Sequence, residues 1–174
     1  MSKHLNLHLC PAVKEDVAVA MTMIQDAKNF HKEIKLDQWS DAYPAIEDIE
    51  GDIAAGKGYF LCDGETKVGY LCLDTDGEEV YSDLEGQWLT ADDAVYLVVH
   101  RLAMSASYRG KGYSSAVFPL AELFCREKGI KSIRVDTHKD NQIMQYLIPK
   151  AGFTSCGLVY YFGSPRTAFE KIVA

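Results

Sequence analysis

The residues from Ser107 to Ser115, Ser-Tyr-Arg-Gly-Lys-Gly-Tyr-Ser-Ser, place cations at 109 and 111, glycines at 110 and 112, and hydroxyls at 114 and 115. They stand between a long apolar run, 94–104, and a segment with helical spacing. A helix that starts there leaves its first main-chain N–H groups without intrahelical partners and carries a partial positive charge. Gly110 and Gly112 keep side chains out of an anion's way and permit dihedrals that other residues avoid. Arg109 and Lys111 add charge, and Ser114 and Ser115 add donors. The combination makes a seat for a diphosphate. Its spacing is neither G-x-x-x-x-G-K-[ST] nor G-x-G-x-x-G. Taken alone, the same residues also suit an ordinary turn with two solvated cations.

Periodicity predicts the elements that must hold this turn. Residues 5–9 alternate as a first strand. A helix begins at Pro11 and carries Val13, Val17, Ala20, Met21 and Ile24, until Leu-Asp-Gln-Trp-Ser-Asp-Ala-Tyr-Pro (36–44) breaks it. Pro44 opens a shorter helix with Ile46, Ile49 and Ile53, which ends near Gly56 and Gly58. Strands at 58–62 and 67–73 are joined by Asp-Gly-Glu-Thr, a hairpin turn. Residues 74–79 imitate the opening of a calcium loop, but their Gly comes too early and no bidentate Glu follows, so calcium is not expected. The β-branched run 94–104 reads as a central buried strand. Beyond the turn, Ala116, Leu120, Leu123 and Phe124 mark a helix that stops at Gly129. A strand at 132–138, a helix at 140–153 and strands near 153–162 and 167–173 flanking Gly-Ser-Pro-Arg-Thr complete the chain. The expected fold is a single α/β domain over 1–174, a mixed sheet of about seven strands with about four helices on both faces.

Composition narrows the function classes. The chain has 174 residues, 48% of them apolar and 25% charged, as a soluble globular domain does. A net charge of −7 argues against a nucleic-acid surface and favours cationic small substrates. No window has the length of a membrane span, and the opening residues lack the apolar segment of a signal peptide, so a cytoplasmic location without membrane contact is expected. The cysteines at 10, 62, 72, 125 and 156 are odd in number and form no C-x-x-C pair. Free thiols in a reducing compartment are the expectation. His4 and His8 share a face of the first strand without carboxylate or thiol neighbours, so no metal site is expected.

The segment Arg109-Gly-Lys-Gly-Tyr-Ser114, preceded by His-Arg-Leu-Ala-Met, resembles the acyl-CoA loop Q/R-x-x-G-x-G/A of the GNAT N-acetyltransferases. Ser114 stands where that family has Gly or Ala and adds one hydroxyl. The block from Asp136 to Gly157 resembles the family's next strand and helix, with Asn141 and Lys-Ala-Gly-Phe (150–153) in register. The predicted element order is similar to the GNAT fold over essentially the whole chain. The resemblance implies an acetyl-CoA-dependent N-acetyltransferase that moves an acetyl group directly to the amine of a small molecule or peptide. It implies that the cofactor's arm runs along Leu102, Ala103 and Met104, where a bulge frees main-chain groups, and that an N–H near Met104 acts as oxyanion donor. The diphosphate would meet Arg109, Gly110, Lys111, Gly112, Tyr113, Ser114 and Ser115. Asn141 would touch the arm, with helix N-capping as the alternative.

An alkylamine of pKa ~10.4 arrives as an ammonium and must lose a proton before it attacks a thioester. His100 matches in register a strand histidine proposed as base in one branch of the family, and a structural histidine is the alternative. Many members carry an acidic tyrosine directly before the Lys-Ala-Gly-Phe helix end. Here Ile148 holds that place and Tyr146 is expected to pack, which leaves the departing thiolate, near pKa ~8.5, to be protonated by water. The missing tyrosine also admits a non-catalytic acyl-CoA-binding sensor. Trp39, Tyr43 and the carboxylates of Asp37 and Asp41 lie in the loop that borders the acceptor in this family, with loop anchoring as the competing role. Glu85 and Trp88 raise the same question. Arg166 suits a substrate acid or an internal carboxylate, and Asp136 and His138 are read as a structural pair. Edges on the C-terminal strands permit a homodimer.

Overall fold

A computed structural model describes residues 6–174. Eight strands, β1 (Leu7–Pro11), β2 (Gly58–Asp63), β3 (Thr66–Asp74), β4 (Glu85–Gly86), β5 (Leu97–Met104), β6 (Ser132–His138), β7 (Thr154–Tyr161) and β8 (Ser164–Ile172), form one mixed sheet. Its order is β1-β2-β3-β5-β6-β8-β7-β4. Four α-helices accompany it: α1 (Val17–Glu33), α2 (Ile46–Ala54), α3 (Val117–Lys128) and α4 (Gln142–Lys150). β5 and β6 run parallel, and the hairpin β2–β3 and the pair β7–β8 are antiparallel.

The expected fold class holds, and the differences have local causes. The short β4 was not foreseen, because two residues carry no period. Gly86 of β4 faces Gly157 of β7, and a Cβ on either would fall about 2 Å from the other strand's carbonyl oxygen, so only glycine fits the crossing. Pro11 ends β1 instead of opening a helix, and Val13 is exposed. A single 3-10 turn, Lys14–Asp16, intervenes, with the Asp16 carboxylate accepting the Val13 N–H at 2.8 Å. Likewise α2 starts at Ile46 and not at Pro44. Val117, Phe118, Ala121 and Cys125 form the buried row of α3, and Leu123 is exposed. Residues 164–167 lie inside β8, so the connection shrinks to Phe162 and Gly163. His4 and Leu5 fall outside the described residues.

The chain divides into two compact units, residues up to Leu73 with His100–Leu120, and Asp74–Val99 with Ala121–Ala174. In the first, α1 turns Ala20, Met23, Ile24 and Ala27 inward at helical spacing, and they pack with Ile49, Phe60, Tyr70 and Ala103. In the second, Tyr81, Val98, Val159 and Ala168 form an apolar cluster. Beside it Glu170 is fully buried and satisfied on all sides. Its carboxylate accepts from the Leu89 N–H at 2.6 Å, the Thr90 and Ser132 hydroxyls, and Arg134 Nε at 3.1 Å. This one side chain ties the loop at 89–90 to β6.

In the first unit β5 departs from regular strand geometry. Arg101 has φ 50°, a left-handed backbone that a long side chain rarely adopts and that marks the first residue of some bulges. Its guanidinium forks onto the buried Asp52 of α2, with Nε donating at 2.8 Å and Nη2 closing the second bond, while Nη1 donates to Tyr43 Oη at 2.9 Å. Tyr70 Oη donates to the same carboxylate at 2.9 Å. A left-handed non-glycine residue costs about 1–2 kcal/mol. Giving up the pair would leave a buried charge without its partner, at about 3–5 kcal/mol, which exceeds that strain.

Two measurements follow from these geometries. Arg101→Gly and Arg101→Ala both lose the fork, but only Ala keeps the dihedral strain, so urea unfolding should find the Ala variant less stable by about 1 kcal/mol. Equal stabilities would mean that the left-handed backbone is not part of the fold. For Glu170, burial alone would raise the carboxyl, but its bonds from Ser132, Thr90, Leu89 and Arg134 outweigh burial and hold it below the usual range. A depressed acid stabilises above its unfolded value, about 4.3, and loses that contribution as pH falls through the folded value. Glu170→Gln should therefore cost about 3–5 kcal/mol at pH ~7, with the gap to wild type narrowing below pH ~4. A gap independent of pH would contradict this.

Candidate active site

Helix α1 supports the glycine turn from behind. Its Asp26 carboxylate accepts the Ala106 N–H at 2.9 Å, and its Asp26 carbonyl accepts Arg109 Nη2 at 3.1 Å. Arg109 also lies over the Phe30 ring, 4.3 Å from its centroid, and donates to the Met104 carbonyl at 3.3 Å. So the half-buried Arg109 guanidinium straps the turn to α1 and to the end of β5. Nearby His31 packs on Trp39 with ring centroids 5.1 Å apart. Burial, aided by the charge of Arg109, pushes its pKa down to about 4 and keeps it neutral.

On the outer side, Gly110 (φ 78°) and Gly112 (φ 85°) both need the left-handed region, and a Cβ on either would meet no atom within 4 Å. Gly112 leads into a single 3-10 turn, Tyr113–Ala116, continuous with α3. Tyr113 is buried and its hydroxyl donates to Asp63 at 2.8 Å, while Ser115 Oγ donates to the Gly112 carbonyl at 2.7 Å. Lys111 is exposed, with Nζ 5.7 Å from the Tyr108 ring centroid. The side chains of Arg109, Tyr113 and Ser115 thus shape the turn, whereas the glycine main chain and Lys111 face outward. That arrangement fits a diphosphate: open main chain at a helix start with one exposed cation beside it.

The strand leading into the turn presents its main chain in a defined direction. The Ala103 carbonyl faces Gly69 of β3, where a Cβ would sit 3.1 Å from it, and the Ser105 N–H donates to the Val68 carbonyl at 2.9 Å. Because main-chain groups alternate along a strand, those of Leu102 and Met104 point away from β3. His100, half-buried, immediately precedes the left-handed Arg101. On its other side β5 registers with β6 at Leu97 and Val98.

The loop before α2 is anchored from within the first unit. Lys28 is buried and donates to the carbonyls of Pro44 at 2.7 Å and Asp41 at 3.2 Å. Asp41 pairs with Lys32 at 2.7 Å, Trp39 packs against the core beside His31, and the Tyr43 hydroxyl accepts from Arg101. Asp37 is exposed. Trp39 thus has the packing that an anchoring role requires, and Tyr43 links loop and bulge.

In the second unit, Asp136 of β6 accepts from the hydroxyls of Tyr81 at 2.7 Å and Tyr161 at 3.2 Å. Burial raises its pKa against the pull of Tyr81, Arg166 and Tyr161. Glu78 is raised as well, by burial and then by the charge of Asp136. The sequence singles out Asp136, inside the strand Ser-Ile-Arg-Val-Asp-Thr-His, but not Tyr81, Tyr161 or Glu78 as its neighbours. Asp136 and His138 are not a pair. His138 Nδ1 accepts the Asp140 N–H at 3.0 Å instead. Arg166 stacks 5.5 Å from the Tyr161 ring centroid and acts on an internal carboxylate, Asp136. Asn141 is buried and caps α4, accepting the Met144 N–H at 3.2 Å. Glu85 accepts the Tyr160 hydroxyl at 2.8 Å, and Trp88 Nε1 donates to the Tyr81 carbonyl at 2.9 Å. Ile148 is fully buried. Tyr146 does not pack as expected; it is exposed, with Lys150 Nζ 5.2 Å from its ring centroid.

Among the described residues no helix is long and apolar enough to cross a membrane. No curated protein resembles the sequence closely enough to count as a match. Among solved structures, a GNAT family acetyltransferase from Streptococcus agalactiae 2603 is 30% identical, with a TM-score of 0.84 and 95% of each chain covered. One from Listeria monocytogenes 4b F2365 is 20% identical, with a TM-score of 0.76 over 95% of this chain and 94% of that one. Aminoglycoside acetyltransferase AAC(6')-Ib, solved with paromomycin and acetyl-CoA, shares the fold at 18% identity, with a TM-score of 0.69 over 96% of this chain and 93% of that one. The cosubstrate expected from the sequence is thus the one held by a protein of the same fold. The family model for GNAT acetyltransferases matches residues 14–153, the span that contains the bulge, the turn and the capped helix, and the chain belongs to the acetyltransferase (GNAT) family.

Proposed function

We propose that the protein is an acetyl-CoA-dependent N-acetyltransferase that passes an acetyl group directly to the amine of a small cationic molecule. The observation that carries the reading is the sequence of geometries along β5: a left-handed residue at Arg101, then main chain of Leu102 and Met104 turned from β3, then two left-handed glycines over open space. Acetyl-CoA supplies a thioester carbonyl carbon open to attack by an unprotonated amine.

The chain's own residues divide the remaining work. Main-chain donors from Gly110 to Ser115, with Lys111, hold the diphosphate, while Arg109 supports the turn from inside. Leu102 and Met104 bond the amides of the arm, and the Met104 N–H faces the oxygen on which charge gathers. His100 takes the proton that the attacking amine must lose. With Ile148 apolar, water protonates the leaving thiolate. Five free thiols suit a reducing compartment, the cytoplasm.

Release of free thiol from acetyl-CoA with a panel of small amines tests the reading. Binding without turnover across the panel would favour the second reading, an acyl-CoA sensor, which draws on the buried Ile148. Gly112→Asp puts a carboxylate on the open side of the turn and tolerates its dihedral, so calorimetry should find acetyl-CoA binding weakened at least about tenfold. Unchanged affinity would remove the turn from the site. His100→Ala should lower kcat by about 10²–10⁴ and erase the basic-form limb of the pH profile, and a wild-type profile would end its role as base.

A further inference from the structure

Strands β1 and β2 bring together three side chains that the proposed transfer does not use. His8 lies directly opposite Cys62 in the antiparallel ladder. Cys10, two residues along β1, shares their face and is diagonal to Cys62. One ring nitrogen of His8 and the sulfurs of Cys10 and Cys62 all lie within 4.8 Å of one another. The expectation that His8 has no thiol neighbours is thereby overturned: Cys62 arrives through strand pairing, which no local spacing announces. Both thiols are free.

The imidazole is already oriented. His8 Nδ1 stands 3.1 Å from the Asn6 carbonyl oxygen. A carbonyl only accepts, so in the neutral ring Nδ1 carries the proton and Nε2 keeps the lone pair, the arrangement usual for a metal-bound histidine. Cys62 is buried against the core, whereas His8 and Cys10 are half-buried, so the group has a floor of apolar packing and a side open to solvent. The β2–β3 register shifts between Leu61 and Cys62, an irregularity of the kind that re-aims a side chain. Lys67, opposite Cys62 in that ladder, is engaged by Asp16 at 3.3 Å and by the Phe60 ring at 5.2 Å. Two sulfurs and an imidazole are a soft donor set that suits zinc-like ions and disfavours magnesium and calcium.

We propose that His8, Cys10 and Cys62 form a binding site for a thiophilic d10 cation of the zinc type, with the fourth position left to water. Each thiol exchanges its S–H bond for a sulfur–metal bond and gives its proton to solvent, while the neutral imidazole donates a lone pair and loses no proton. A dication with two thiolates carries no net charge, which lets it sit beside the core without the penalty of a buried ion. The ion clips β1, at the end of the sheet, to β2.

Cadmium titrated into the reduced full-length protein reads the site through thiolate-to-metal absorption in the ultraviolet, and cobalt reports its geometry through its visible bands. Absorption should saturate at one ion per chain, fall by half in Cys10→Ser and in Cys62→Ser, vanish when both are replaced, and stay unchanged in Cys125→Ser. His8→Ala should keep the band but weaken binding. If Cys62→Ser fails to fold, the half-buried Cys10→Ser decides alone, with thermal melting as the control. A band that survives loss of both sulfurs overturns the proposal. So does the absence of a saturable band, or a Cys10–Cys62 disulfide whose reduction restores no uptake.

Discussion

A guanidinium fork closed on a buried carboxylate, Arg101 on Asp52, holds the part of the first unit on which the candidate chemistry depends. Without a partner Asp52 would be an isolated charge in an apolar setting between α2 and the sheet, and Arg101 would have no reason to keep a left-handed backbone. Together they hold a left-handed residue in the middle of β5, directly before the main chain of Leu102, Ala103 and Met104. Tyr70 and Tyr43 share the same polar knot, so the core of α2, the loop before it and the irregular strand are set by one cluster of hydrogen bonds.

The glycine turn depends on that strand and on α1. Its cations have unequal tasks: Arg109 is spent on Asp26, Phe30 and Met104, and Lys111 alone extends into solvent. An anion at this turn would therefore be held chiefly by main-chain donors, whose direction the packing fixes in advance. Preorganised donors of that kind need little rearrangement when a charged ligand arrives. The second unit makes the opposite use of polar groups. Its Glu170 carboxylate is satisfied by the fold itself, whereas Asp136 and Glu78 are pushed toward the neutral form by burial.

The same residue types thus carry different roles according to what surrounds them. Asp52, Asp136 and Glu170 are all carboxylates inside the protein. Asp52 positions a strand, Glu170 closes a loop, and Asp136 gathers two tyrosine hydroxyls. Residue identity gives the charge; the neighbours decide whether that charge is already matched.

Much of this protein was legible along the chain. The period of α1, the β-branched run of β5, the punctuation at Gly129 and Gly152, and the spacing of cations and glycines at 109–112 are local signals, because helices, strands and tight turns are governed by residues close in sequence. The tertiary structure alone decided the rest. Arg109 points inward, Tyr146 lies exposed, and Asp136 meets Tyr81 and Tyr161 instead of His138, since each partner is brought in by a different element. The pairing of His8 with Cys62 and of Arg101 with Asp52 likewise depends on register and packing. Side-chain chemistry belongs to the sequence, but the matching of one buried polar group to another is a property of three-dimensional contact, which no local pattern encodes.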